Sequence, residues 1–214
     1  RDLARVGVLA RYLAGLHAPI GAGAVRYRRA IRDLVGSGEG IAGIIDGYPE
    51  GVPAASAARL AAIEGRCLGW RWRLRDRADR LVRTHGDFHP FNLVFEGDDL
   101  HVLDASRGAC GDAADDLTAL AINYLLFALD VPTAWHGGMG PLWRALWRDY
   151  LTARPDRELL DVAPPFFAWR ALVVCNPVFY PRMSERARDR LLGFATDVLD
   201  AHRLAPAAAE ALFA

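Results

Sequence analysis

The segment from Ala113 to Leu129 constrains this chain more than any other. Wound as a helix it is apolar almost all round, and a helix without a polar face has to be buried on every side. It is too short to span a bilayer and is interrupted by Asn123; Val162 to Tyr180, with three prolines and Arg170, does not span one either. The rest of the chain must therefore supply the elements that enclose it. Leu3, Val6, Ala10, Leu13 and Leu16, with Leu9 beside them, repeat at helical spacing, and Pro19, Gly21 and Gly23 predict an end near His17. Arg26 to Leu34 predicts a second, short helix. Gly36 to Pro53 reads as a glycine-rich loop region with one apolar patch at Ile41, Ile44 and Ile45. From Ser56 the residues Leu60, Ile63, Cys67, Trp70, Leu74, Ala78 and Leu81 alternate steps of three and four, predicting one long amphipathic helix. Its other faces carry Arg66, Arg71, Arg73, Arg75, Arg77, Arg80 and Arg83, read as a solvated face. Met139 to Leu151 and Pro165 to Val174 predict two further helices, the latter with proline in its first turn. Ser184 caps a last one ending near His202.

Only Leu93 to Phe95 and Leu100 to Leu103 read as strands, joined by the turn residues Glu96-Gly97-Asp98-Asp99. The expected class is α+β, predominantly α-helical, with one small hairpin in a single unit over residues 1–214. That length and 52% apolar residues suffice for a real core. Arg plus Lys and Asp plus Glu each number 26, so the formal net charge is zero and gives no general attraction to nucleic acid or an anionic membrane. Every basic residue is arginine, which excludes any step within this chain that needs a lysine. Cys67, Cys110 and Cys175 form no metal or disulfide pattern and no signal peptide precedes them, so the expected location is the cytoplasm.

The chemistry concentrates between His85 and Leu117. His85-Gly86-Asp87-Phe88-His89-Pro90-Phe91-Asn92 precedes the hairpin, Leu103-Asp104 leaves it, and Gly111-Asp112 and Asp116-Leu117 follow. An Asp on a loop, an Asn five residues on and an Asp after a hairpin are the parts of a phosphoryl-transfer site. The first can accept a hydroxyl proton, and the other two offer hard oxygen ligands to Mg²⁺ on the phosphates of ATP. The hairpin returns the chain so that Asn92 and Asp104 can share one metal.

These spaced elements resemble the aminoglycoside phosphotransferase family, a branch of the protein-kinase-like fold. Leu13-Ala14-Gly15-Leu16-His17 is similar to the end of the helix that opens that family's C-terminal lobe. The resemblance implies a C-terminal lobe over all 214 residues, with catalytic loop and metal motif at 85–117 and acceptor-binding helices at 130–203. It implies transfer of the γ-phosphoryl of ATP to a hydroxyl of a small molecule. Asp87 would be catalytic, Asn92 and Asp104 would bind Mg²⁺ and hence the nucleotide, and His85, Asp112 and Asp116 would support the loop, Asp116 through backbone hydrogen bonds. Asp115 reads instead as a helix-start residue. Ala105-Ser106 departs from the family pattern after the metal-binding Asp. The lobe that supplies the phosphate loop and its lysine is absent, and the abrupt start at Arg1 leads to the expectation of a longer parent protein, with the fragment alone weakly active or inactive. Such a fragment should expose apolar side chains near the start of its first helix and on the hairpin.

Two other readings remain. His85, Asp87 and His89 could form a transition-metal cluster, though His17, His101, His136 and His202 offer no completing ligand. The missing lobe and Ala105-Ser106 also fit a non-catalytic kinase-like binding or regulatory module. Trp135, Trp143, Trp147, Phe166, Phe167, Trp169, Phe179 and Tyr180 read mainly as core, a few of them lining an acceptor pocket. Acidic residues are sparse there, which disfavours a polycationic acceptor.

Overall fold

A computed structural model describes residues 1–21, 23–105 and 110–214. Ten α-helices and one antiparallel hairpin are defined among them, besides short 3-10 and π segments: α1 Asp2–Leu16, α2 Ala24–Gly36, α3 Ile41–Asp46, α4 Ala57–Leu74, β1 Leu93–Glu96, β2 Asp99–Val102, α5 Ala113–Leu129, α6 Pro132–Ala134, α7 Gly140–Ala153, α8 Leu159–Val162, α9 Pro164–Cys175 and α10 Glu185–Ala201. None is long and apolar enough to cross a membrane.

The apolar segment Ala113–Leu129 forms α5 and lies at the centre. Leu117, Ala121, Leu125 and Ala128 are fully enclosed. Helix α9 packs along it, α10 backs α9, and α1 packs lengthwise on α7. One continuous hydrophobic core joins them. Ser184 caps α10 by accepting from the Ala187 amide, and Ser56 caps α4 by accepting from Arg59. The hairpin pairs Leu93 with Val102 and Glu96 with Asp99, and Gly97 in its turn takes φ +63°, a conformation glycine adopts without steric cost.

Three expectations change. The region 36–53 is not all loop. Ile41, Ile44 and Ile45 occupy one face of α3, with Ile41 fully buried. Two of its glycines permit close approach: a Cβ on Gly40 would sit 2.3 Å from the Asp33 carbonyl oxygen, and one on Gly43 2.1 Å from that of Gly38. Helix α4 ends at Leu74 and does not continue to Leu81. A 3-10 turn at Ala78–Arg80 follows, after which Val82 is extended and pairs with Pro19 and Gly111, exchanging 3.0 Å hydrogen bonds with Gly111. The stripe extends past the helix because Leu81 is buried from extended backbone. Finally, Arg80 is no solvated residue. Its side chain is 6% exposed and locked between two carboxylates.

Apolar side chains are exposed on the face that carries α1 and the hairpin: Leu3 at the start of α1, Phe91 before β1, Val94 on β1 and Leu103 after β2.

Candidate active site

The loop from His85 to Asn92 is fastened from both sides. Asp116, fully buried on the first turn of α5, accepts from the His85 amide through Oδ2 at 2.6 Å and from the Gly86 amide through Oδ1 at 2.7 Å. Gly86 stands at φ +84°, where a side chain would be strained. Asp116 Oδ2 also faces His17 Nε2 at 3.1 Å, and His17 Nδ1 lies 2.7 Å from the Tyr150 hydroxyl. A buried imidazole thereby links the end of α1, α7 and α5. His85 bonds at both ring nitrogens, Nδ1 accepting from the Asp87 amide at 3.2 Å and Nε2 meeting the Leu103 carbonyl at 2.9 Å. Phe88 is fully buried, stacked on Tyr12 and edge-on to His85, and anchors the middle of the loop.

Beyond Asp87 the chain makes a 3-10 turn at Pro90–Asn92. The Asp87 carbonyl accepts from the His89 amide at 3.0 Å and from Asn92 Nδ2 at 3.0 Å, so the Asn92 Oδ1 atom is the end of the amide turned away from Asp87. The Asn92 carbonyl accepts from the Leu103 amide at 2.8 Å, extending the hairpin ladder by one rung. That bond brings Asn92 beside the neighbour of Asp104. Asp104 takes φ 53°, a left-handed conformation that Asp tolerates better than most residues and that turns the chain as it leaves β2. Ser106 lies outside the described residues.

Asp112 caps α5 by accepting from the Ala114 amide, and also accepts from the Tyr27 hydroxyl at 2.8 Å and from Arg80 Nε and Nη2 at 2.8 and 3.0 Å. Arg80 reaches Asp156 with its other edge. Burial, and then the Asp112 charge it donates to, push the Tyr27 hydroxyl far above its ordinary range.

Asp115 is more than a helix-start residue. Its Oδ1 pairs with Arg170 Nη2 at 2.6 Å, and Arg170 Nη1 stands 3.6 Å from Asp87 Oδ1. Burial pushes the Asp115 carboxyl up to about 6, opposed by Arg170 and reinforced by the charges of Asp116 and Asp87. Asp87 opens onto a cleft of about 460 Å³ whose lining includes Glu39, His89, Asn123, Trp169 and Tyr180. The cleft thus draws on α5 and the 38–44 segment as well as on the region after residue 130. Trp135, Trp143, Trp147, Phe166 and Phe167 are core, whereas Phe179 is exposed and borders the cleft.

Sequence reasoning gave no site role to Tyr27, Arg80, Asp156, His17 and Arg170, all of which lie outside the 85–117 segment. The one available signal was an arginine in the apolar stretch of α9. No three His, Cys, Asp or Glu side chains among the described residues are placed to hold a metal ion, and both ring nitrogens of His85 are engaged, so His85, Asp87 and His89 do not form a transition-metal cluster.

The profile of the phosphotransferase enzyme family matches residues 9–160, and the chain belongs to that family. A solved glucosamine kinase, crystal form B, superimposes with a TM-score of 0.62 at 17% identity, covering 93% of this chain and 53% of that one. A glucosamine kinase in complex with glucosamine, ADP and inorganic phosphate gives a TM-score of 0.58 at 16% identity, with the same coverage. The chain therefore has the fold found in these kinases and spans about half their length. No curated protein matches it.

Proposed function

We propose that the chain is the C-terminal lobe of an ATP-dependent small-molecule kinase, transferring the γ-phosphoryl group to an acceptor hydroxyl. One observation carries this reading: Asp87 sits at a cleft within the size range of small-molecule sites, while the hairpin returns Leu103-Asp104 to Asn92. Asp87 would take the acceptor's proton and aim its oxygen. The donor set of Asn92 and Asp104, an amide oxygen and a carboxylate, is of the hard type that suits Mg²⁺. A set this small fits an ion that takes its remaining ligands from phosphates and water. When bound, Mg²⁺ supplies neutralisation of the phosphate charge. Asp116 and His85 would keep the loop in the shape that points Asp87 into the cleft.

The acceptor we infer is a hydroxylated molecule of about monosaccharide size. A single acidic residue beside Asp87, Glu39, among aromatic and apolar neighbours suits a neutral or singly cationic sugar better than a polycation. The solved relative holding glucosamine, ADP and inorganic phosphate supports both the sugar and the nucleotide. Because the chain contains no lysine, the lysine that orients the phosphates in kinase-like enzymes would come from another lobe. The exposed Leu3, Phe91, Val94 and Leu103 offer that lobe an apolar seat.

The test is transfer from MgATP to a panel of sugars and amino sugars by the full-length protein. Acceptor-dependent ADP release should fall about 100-fold or more in Asp87→Asn, with the melting temperature within a few degrees of wild type. Near-normal turnover in that variant overturns the reading.

A further inference from the structure

We propose that Arg170 is a positioning residue for the transfer: held by Asp115, its guanidinium stands beside Asp87 Oδ1 and orients that carboxylate toward the acceptor's proton. The inference rests on the reading of Asp87 just given and names the device that aims it.

Arg170 lies in the middle of α9, whose sequence from Pro164 to Cys175 is otherwise apolar, and it is 6% exposed. A guanidinium is costly to bury unless its charge and hydrogen bonds are met. The core gains nothing from an arginine here that a leucine would not supply. The partners show what the charge is directed at. Nη2 donates to Asp115 Oδ1 at 2.6 Å and to the Gly86 carbonyl at 3.3 Å, on the residue just before Asp87. The centre of the group lies 3.9 Å from the Trp169 ring, and Trp169 is itself pinned by its Nε1 donating to the Glu39 carbonyl at 3.0 Å. Nε is buried and meets no acceptor. The group is thus placed by its outer edge, with both Nη atoms directed at the loop.

The spacing to Asp87 is informative. At 3.6 Å, Nη1 and Oδ1 are too far apart for a hydrogen bond but close enough for a strong attraction in a poorly solvated setting. Asp115 restrains the guanidinium at this distance. Released from Asp115, Arg170 could close on Asp87 and engage both of its oxygens as a full ion pair. On the other side, His89 Nδ1 accepts from the Phe91 amide at 3.2 Å, so the neutral ring carries its proton on Nε2, 3.6 Å from Asp87 Oδ2. Asp87 Oδ1 thus faces the guanidinium and Oδ2 faces the cleft-lining imidazole. In the transfer, the acceptor oxygen bonds to the γ-phosphorus as its O–H bond breaks. The proton goes to the Asp87 carboxylate, and ADP leaves with the electron pair of the broken P–O bond.

The experiment measures MgATP turnover by the full-length protein, with glucosamine and with water as acceptor, in Arg170→Gln, Arg170→Lys, Asp87→Asn and the double variant Arg170→Gln/Asp87→Asn. Loss of aim costs about 100-fold. The expected result for Arg170→Gln is such a fall in kcat, with both KM values within twofold of wild type. Arg170→Lys, which restores the buried cation, should recover most of the loss. In the Asp87→Asn background Arg170→Gln should cost nothing further, because its effect passes through that carboxylate. An equal loss in both backgrounds, or a raised KM with kcat unchanged, overturns the proposal. Should Arg170→Gln fail to fold, Arg170→Lys alone decides it: a kcat no higher than that of Asp87→Asn refutes rescue by charge. If Asp87→Asn keeps its turnover, the reading of Asp87 fails. If Asp87→Asn is inactive while Arg170→Gln is not, only the role of Arg170 fails.

Discussion

Replacing Asp116 by Asn changes one atom of a buried carboxylate, and the structure fixes which hydrogen bond is lost. Among the described residues, Oδ2 serves two partners, the His85 amide and His17 Nε2, while Oδ1 serves the Gly86 amide. An asparagine keeps one oxygen. Placed at the Oδ1 position, it would turn its NH₂ toward the His85 amide and the imidazole. Placed at the Oδ2 position, it sacrifices only Gly86. The side chain should adopt the second arrangement, leaving the Gly86 N–H buried against another donor and weakening the two bonds that remain. An orphaned buried donor costs about 1–3 kcal/mol, and loss of charge assistance adds about 1 kcal/mol more. The expected destabilisation is therefore about 2–4 kcal/mol. For a domain of this size that is a fall in Tm of roughly 4–16 °C.

The position of the loss matters as much as its size. Gly86 is held at φ +84° immediately before Asp87, so a freed Gly86 loosens the aim of the residue we read as the proton acceptor. Urea unfolding and MgATP turnover should be read together on Asp116→Asn and Asp116→Ala. The alanine, which abandons all three bonds, should cost clearly more stability than the asparagine, while both lose at least tenfold in kcat. Equal stability losses, or an Asp116→Asn protein with wild-type kcat, would refute the argument that the loop is aimed through Gly86.

Asp104→Ala should abolish Mg²⁺-dependent nucleotide binding by the full-length protein, measured by calorimetry with and without the metal; unchanged binding places the metal elsewhere. Gly40→Ala drives a Cβ to within 2.3 Å of the Asp33 carbonyl oxygen and should destabilise by about 1–3 kcal/mol; an unchanged urea midpoint would contradict the close packing of α3 on α2. Asp115 has a folded-state pKa raised to about 6, against about 3.9 unfolded. Between those values the unfolded chain releases its proton first, so this group makes stability fall as pH rises from about 4 to about 6, and the full cost remains above that range. The change in stability on going from about pH 4 to about pH 6 should be more positive in Asp115→Asn than in wild type.

What the sequence disclosed and what it concealed divide along a physical line. Helical periodicity marks where apolar side chains go, and it located α1, α5, α7, α9 and α10 to within a residue or two. It failed at Leu81 because extended backbone can also bury a leucine, and the pairing of Val82 with Gly111 joins residues far apart in sequence. It failed at 41–46 because glycines that read as loop residues serve close approach, Gly40 to the end of α2 and Gly43 to the backbone of Gly38. The spacing of Asp87, Asn92 and Asp104 was visible because one loop and one hairpin carry all three. The groups that hold the loop were not, because each comes from a different element. His17 reaches Asp116 from the end of α1, and Arg170 reaches Asp115 from α9.

Those partnerships share one origin. The first turn of α5 carries Asp112, Asp115 and Asp116, and each is met by a nitrogen group from a separate part of the chain: Arg80 from the turn after α4, Arg170 from α9, His17 from α1. The N-terminus of a helix favours carboxylates, so a capping cluster alone would explain acidic residues here. It would not explain why those at 112 and 116 are wholly buried. A buried carboxylate whose partner has not docked carries an uncompensated charge worth several kcal/mol. The start of α5 is therefore fully satisfied only when α1, α9 and the Arg80 turn have all reached their places. Asp115 and Asp116 then also bear on His85, Gly86 and Asp87. The same contacts that require the surrounding elements to close also hold His85 and Gly86, so in the proposed reaction the aim of Asp87 would depend on residues from elements well outside its motif.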